Sequence, residues 1–244
     1  MADTGREFME RTKFEHLEPS DQMKGVPHPP LVVPCPPTQV IELPDPAGIK
    51  TGPVDLRFAI EERRSIRQYT RTPLTLDELS FLLWCTQGVR ENVQGQFTFR
   101  NVPSAGARHA LETFVLANHV EGLHPGLYLY CALDHRLAEV TLDPDIGNAI
   151  SAACIHQQGV VRGAATFIWT AVAYRMTWRY GERGYRYLHL DAGHVCQNLY
   201  LAARAVDCGV CAIGAFHDDV LNALLGIDGT GQFVVYLATL GKVV

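Results

Sequence analysis

Lysine is nearly missing from this chain: Lys13, Lys24, Lys50 and Lys242 are the only four among 21 cationic residues, and the rest are arginines. Against 26 acidic residues this leaves a formal net charge of −5. Such a balance excludes a broad basic face, so no nucleic-acid partner is expected. Long apolar runs are missing too. None approaches the ~18 residues of a membrane span, so no membrane partner is expected. The longest, Ala164 to Tyr174, is interrupted by Thr166 and Thr170 and reads as a buried strand. The start, Met1 to Lys13, is charged and lacks the apolar centre of an export signal. The seven cysteines show no framework spacing. Reduced thiols and a cytoplasmic location are the expectation. There is no phosphate-cradling Walker loop and no G-x-S-x-G elbow. Gly226, Gly229 and Gly231 do not spell a dinucleotide fingerprint and mark a turn.

What is present is a packed chain of 244 residues, 47% hydrophobic and 19% charged, enough for a sizeable core without staples. Arginine suits planar, bidentate contact with phosphate or carboxylate; a coding bias would give the same count. Nine of the fourteen prolines fall between Pro27 and Pro53. Proline removes donors and fixes φ, so this stretch is neither helix nor central strand. Residues 1–53 therefore read as a proline-rich arm before a domain over 54–244. The arm's Leu31, Val32, Val33, Val40, Ile41 and Leu43 favour docking over a disordered leader.

From Val54 regular patterns begin. Leu56 to Arg64 predicts a helix. Thr75-Leu-Asp-Glu78 is a capping box opening a second helix. Glu112 to Val120 and Gly126 to Leu133 predict strands. Asp145 to His156 predicts a helix, Phe167 to Tyr174 a strand, and Tyr185 to Val206 the longest helix. Val210 to Phe216, Asp218 to Leu225 and Phe233 to Leu240 follow as strand, helix and strand. The class is α+β.

Four constellations could carry chemistry. Arg63-Arg64-Ser65-Ile66-Arg67 sets three guanidiniums and a hydroxyl in five residues, suited to a phosphate monoester; basic residues ending a helix also complement its dipole. Pro103-Ser104-Ala105-Gly106-Ala107-Arg108-His109 allows close backbone approach to a flat ligand, or is an N-capped turn. On the long helix Asp191, His194, Gln197 and Asn198 make one polar stripe, facing a ligand or a hydrogen-bonded core. Cys211 to Phe216, with Gly214-Ala215, offers backbone N–H groups, while Lys242 stands near the end of the last strand or in solvent. Two patterns are set aside. Cys208-Gly-Val-Cys211 sits in an apolar strand entry rather than at a helix N-terminus and reads as core. His189 and His194 do not share a helix face, so no zinc site is expected.

Taken in order, these segments resemble the FMN-dependent nitroreductase superfamily, in its SagB/ThcOx-type dehydrogenase branch. Arg63-Arg64-Ser65-x-Arg67 resembles its phosphate-binding opening, and Pro103-Ser104-Ala105-Gly106 its Pro-Ser segment. Gly122 to Tyr128 is similar to the branch's Gly-Leu-x-Pro-Gly-Leu-Tyr stretch. Asp191-Ala-Gly193-His194 with Gln197-Asn198-Leu199 resembles its central helix, and Gly214-Ala215-Phe216 and Gly241-Lys242 complete the series. The resemblance implies a mixed or antiparallel sheet flanked by helices, a long helix at a dimer interface, and a homodimer with FMN between subunits. It implies phosphate and ribityl contacts from Arg63, Ser65, Arg67 and Lys242, more weakly from Arg64. Pro103, Ser104 and Ala105 would cover the ring bound to the other subunit, and Gly214 and Ala215 would present an N–H near N5. NADH or NADPH is an expected electron donor, and the substrate a small molecule or peptide. Azoline-oxidising members of the branch carry a Lys-Tyr pair before the central helix; here Arg186-Tyr187 stands there. Arginine cannot serve as a base at ordinary pH, which counts against peptide azoline oxidation. Tyr187 could still give or take a proton, so Tyr187 and Arg186 are the catalytic candidates, and a non-catalytic flavin-binding accessory subunit is the alternative.

Overall fold

Two apolar runs, Leu111–Ala117 and Ala165–Val172, are buried on both faces and therefore become the middle of a sheet. The computed structural model describes residues 3–243. In chain order its strands are β1 (Val40–Glu42), β2 (Val89–Val93), β3 (Phe97–Arg100), β4 (Leu111–Ala117), β5 (Gly126–Cys131), β6 (Arg136–Thr141), β7 (Ala165–Val172), β8 (Cys208–Ile213) and β9 (Gln232–Lys242). Seven of them form one antiparallel sheet in the order β1-β6-β5-β4-β7-β9-β8, while β2 and β3 make a separate hairpin. The helices are α1 (Thr4–Arg11), α2 (Leu56–Glu61), α3 (Leu76–Gln87), α4 (Ile146–Ala153), α5 (Gly159–Arg162), α6 (Ala173–Tyr180), α7 (Gly184–Ala203) and α8 (Asp218–Leu224).

Helices cover both faces of the sheet. Leu79, Leu82 and Leu83 of α3 and Leu188, Val195 and Leu199 of α7 share one core with Phe167 and Trp169. Ile150 of α4 and Leu221 of α8 join Ile168 and Leu237 in the other. The capping box at the head of α3 forms as expected: Thr75 Oγ1 accepts from the Glu78 amide, and Glu78 accepts from the Thr75 amide. The strand expected over Phe167–Tyr174 stops at Val172, and α6 begins at once. No turn residue separates them, so the apolar pattern runs through the change.

The proline-rich arm lies on this frame. Trp178 Nε1 donates to the Val26 carbonyl (2.9 Å), Arg175 Nε to Pro30 (2.8 Å), and the Val33 amide to Glu112 Oε1 (2.7 Å). The last two contacts close over a buried ion pair, Arg175–Glu112, whose side chains are 4% and 2% exposed. Further on, β1 pairs with β6 at the sheet edge. The expectation of reduced thiols throughout is corrected here: Cys35 and Cys131 form a disulfide, with Cα atoms 5.6 Å apart. The arm passes the end of β5, and spacing along the chain cannot encode that crossing. The disulfide removes the thiol argument for a cytoplasmic location. Cys208 and Cys211 are free and buried, as core residues.

Candidate functional site

The outer rim of β8, the last strand of the sheet, organises the first group of residues. In an antiparallel pair alternate residues turn their backbone groups away from the neighbour. On β8 these are Val210, Ala212 and, just past the strand, Gly214. The Val210 carbonyl accepts from the Ile66 amide (2.9 Å), and Ser65 bridges Val210 in parallel register. The Ala212 amide donates to the Tyr200 hydroxyl (2.9 Å). Gly214 and Ala215 are exposed, and among the described residues neither amide has a protein acceptor.

The segment after α2 is thus laid along the rim. Ser65 Oγ lies 3.0 Å from the Tyr200 hydroxyl, and the Arg63 guanidinium stands 5.1 Å over the Tyr200 ring. Tyr69 fixes the turn that follows: its hydroxyl donates to Ile66 O (2.8 Å) and meets Thr239 Oγ1 (2.7 Å). The Thr70 amide then donates to Lys242 O. Lys242 is opposite Cys208 in the β8–β9 register, two residues from the Ser65 bridge.

The cations differ in how free they are. Arg67 is exposed and makes one long contact, to Ser65 O at 3.4 Å. Arg63 is half-buried and has no carboxylate in ion-pair range among the described residues. Arg64 is 79% exposed and stands 3.7 Å from Glu62. The Lys242 ammonium donates to Glu78 and to the Val206 carbonyl. Free positive charge therefore comes from Arg63 and Arg67, beside the Ser65 hydroxyl, and the two open amides lie four and five residues beyond Val210 on the same rim. This fits one end of a phosphorylated cofactor.

The second group is tied to α7. Ser104 Oγ donates to Asp191 Oδ2 (2.6 Å), the Ala105 amide to Asp191 Oδ1 (3.3 Å), and Ser104 accepts from the His109 amide (2.9 Å). Burial pushes the Asp191 carboxyl up, and the Ser104 and Ala105 hydrogen bonds pull it back. Asn198, seven residues on, donates to the Cys85 and Asn101 carbonyls. Asp191 and Asn198 are thus core hydrogen bonders, while His194 and Gln197 are exposed. Pro103 is exposed; Ser104 and Ala105 are partly so.

Arg186 and Tyr187 face the beginning of the chain. Arg186 Nε donates to Thr12 Oγ1 (2.7 Å), and its guanidinium also reaches the Met9 carbonyl and the Phe8 ring. Arg183 donates to the Tyr187 hydroxyl (2.9 Å) and to Thr12 O (2.8 Å). Sequence reasoning missed Tyr200, an aromatic on a buried helix face, and missed the tie from Asp191 to Ser104. Neither carries a local signal; both depend on segments 87 to 135 residues apart.

The fold defines a class, an α+β domain with a seven-stranded antiparallel sheet covered by helices on both faces. The chain belongs to the nitroreductase family, whose model, "Nitroreductase family", matches residues 60–242. It is 37% identical over 190 residues to "Putative nitroreductase MJ1384" of Methanocaldococcus jannaschii, covering 78% of this chain and 91% of that one. A crystal structure from Anabaena variabilis under the same description is 35% identical, with a TM-score of 0.65. The match covers 77% of this chain but only 38% of that longer one. A chain of the Escherichia coli microcin synthetase McbBCD complex with truncated pro-MccB17 bound aligns over 98% of this chain and 86% of its own (TM-score 0.62, 17% identity). The NADPH:FMN oxidoreductase of Vibrio harveyi complexed with NAD+ shares the fold at 16% identity (TM-score 0.54), over 75% of this chain and 66% of that one. Among the described residues no helix is long and apolar enough to cross a membrane.

Proposed function

We propose that the chain is an FMN-dependent oxidoreductase acting as a homodimer, with FMN at the subunit interface. The observation that carries this is the rim of β8, where Arg63, Ser65 and the open Gly214 and Ala215 amides follow one another along a single strand. Arg63, Ser65 and Arg67 hold the phosphate and ribityl end, and Arg64 and Lys242 stand behind them. Gly214 and Ala215 offer N–H groups to the ring. Pro103, Ser104 and Ala105, fixed by Asp191, cover the ring bound to the other subunit. Bound FMN would supply the hydride chemistry, so the protein needs no nucleophile of its own.

A homodimer is supported by apolar groups left on two helices. Leu190 of α7 is 59% exposed, and Leu56, Phe58 and Ile60 of α2 are all more than half exposed. NADH or NADPH as donor is supported by the V. harveyi oxidoreductase, and a peptide or small-molecule substrate by the microcin synthetase complex. One observation favours a second reading, a flavin-binding accessory subunit without turnover: Arg186, where a base would stand, instead grips the Thr12 segment.

The absorbance spectrum of purified protein tests the main reading. Saturable FMN uptake, followed by anaerobic bleaching with NADH or NADPH and reoxidation by an acceptor, is expected. Protein that takes up no FMN overturns both readings. Bound FMN that neither donor bleaches supports the accessory one.

A further inference from the structure

We infer that Arg108 and Arg179 form a separate oxyanion site, taking a phosphate or carboxylate group of the second reactant. The identity of that reactant rests on the oxidoreductase reading; the site itself does not.

Both guanidiniums converge on Gly106. Arg108 Nε makes its one protein hydrogen bond there, to Gly106 O at 3.3 Å, and its guanidinium lies 5.2 Å over the Trp178 ring. A Cβ placed on Gly106 would meet the Tyr180 hydroxyl first and would then lie 2.9 Å from Arg179 Nε, and Arg179 stands 5.6 Å over the Tyr180 ring. Gly106 has φ +57°, a conformation that favours glycine, so a side chain is kept out of this place twice over. Arg108 is 8% exposed, yet neither arginine has a carboxylate in ion-pair range among the described residues. Glu182 follows close by in sequence and pairs with neither. The contrast with Arg175 is direct, since that buried guanidinium has Glu112.

Burial, and then the Arg179 charge, both weigh against the charged form of Arg108. Arg108 is buried and Arg179 is exposed at the mouth of the place; a buried guanidinium facing a second cation is unfavourable until an anion joins them. A planar guanidinium fork matches a pair of oxygens on a phosphate or a carboxylate. The aromatic floor of Trp178 and Tyr180 holds the forks in place, and the arm braces that floor through the Val26 carbonyl and an edge contact from His28. Placement gives the site its use. Gly106 directly follows Pro103–Ala105, the segment pinned to Asp191 and assigned above to the ring face. An anionic group bound here would orient a reactant approaching that face.

The test titrates inorganic pyrophosphate and, separately, succinate into FMN-loaded protein by calorimetry. Saturable binding of at least one is expected, weakened about tenfold or more in Arg108→Gln and in Arg179→Gln, weakened less in Arg108→Lys, which keeps the charge but not the fork, and unchanged in Arg162→Gln, an exposed arginine outside both sites. Melting curves confirm that each variant is folded. No saturable binding of either anion below about 10 mM, or binding lost only in Arg67→Ala, overturns the site. If the protein takes up no FMN, the same titration on the apoprotein still decides the question, so failure of the oxidoreductase reading is seen separately. Steady-state arms then identify the source. A rise in KM for NADPH but not NADH in Arg108→Gln assigns the donor's extra phosphate. A rise confined to a Glu-containing peptide, against its Gln analogue, assigns a substrate carboxylate.

Discussion

Lys242 and Glu78 form an ion pair within the fold, the ammonium also donating to the Val206 carbonyl. The same carboxylate closes the capping box of α3, so the last cation of the chain is linked to the start of a core helix. Arg67 has no such tie. Replacing Arg67 by Ala should weaken FMN binding by one charge-assisted bond, about 1.5–3 kcal/mol, with little change in melting. Replacing Lys242 by Met should instead lower stability by roughly 2–3 kcal/mol, because the Glu78 carboxylate is left largely covered and unpaired. Parallel FMN titrations and urea melts separate the two outcomes.

Asp191 holds the Ser104–Ala105 segment to α7 through two hydrogen bonds. Asp191→Ala should free that segment and raise amide exchange at Ala105 and His109. If the segment covers the other subunit's flavin, FMN affinity should also fall by roughly tenfold. Exchange mass spectrometry and flavin titration read the two effects separately.

The disulfide between Cys35 and Cys131 closes a loop of 96 residues. Reduction should destabilise the protein by about 2–4 kcal/mol and expose the arm near Pro30 to proteases. Melts with and without dithiothreitol, with thiol counting by alkylation, check this. A Cys35→Ser variant should melt like the reduced protein and no longer respond to the reductant.

His109 is 6% exposed, and burial and then the nearby Arg100 charge push its pKa down to about 3. In the unfolded chain it titrates near 6.5. Between these values the unfolded state binds the extra proton, so stability falls as pH drops from about 6.5 toward 3, by at most ~1.4 kcal/mol per pH unit. Above about 6.5 this contribution is constant. Urea melts across the window, with His109→Gln removing that part of the slope, measure it.

Arg186 contacts Thr12, Met9 and Phe8. Arg186→Ala should loosen residues 4–14, giving faster tryptic cleavage at Arg11 and Lys13 while FMN binding stays within about twofold, less than half a kcal/mol. A large loss of flavin instead would place Arg186 at the cofactor.

Local rules reached much of this fold. The capping box at Thr75 and Glu78, the buried runs of β4 and β7 and the length of α7 are all written in short windows. The failures have physical causes. α6 follows β7 with no glycine or proline between, so periodicity alone could not divide Val172 from Ala173. The β2–β3 hairpin turns at Gln94-Gly95, both at positive φ, with glutamine where asparagine or aspartate usually announces such a turn. At the site, the Arg63–Ser65 segment was legible as clustered cations. The occupation of Lys242 by Glu78 was not, since that pair spans 164 residues.

The Tyr200 hydroxyl has a consequence for solubility. A terminal strand with unpaired donors invites another chain to zip onto it, and here a phenol plugs one such donor while the Ser65–Ile66 segment shields its neighbour. Tyr200→Phe would leave the Ala212 amide without its acceptor. Strand addition by another copy would then meet one obstacle fewer at this edge, with the Ser65–Ile66 segment still covering Val210.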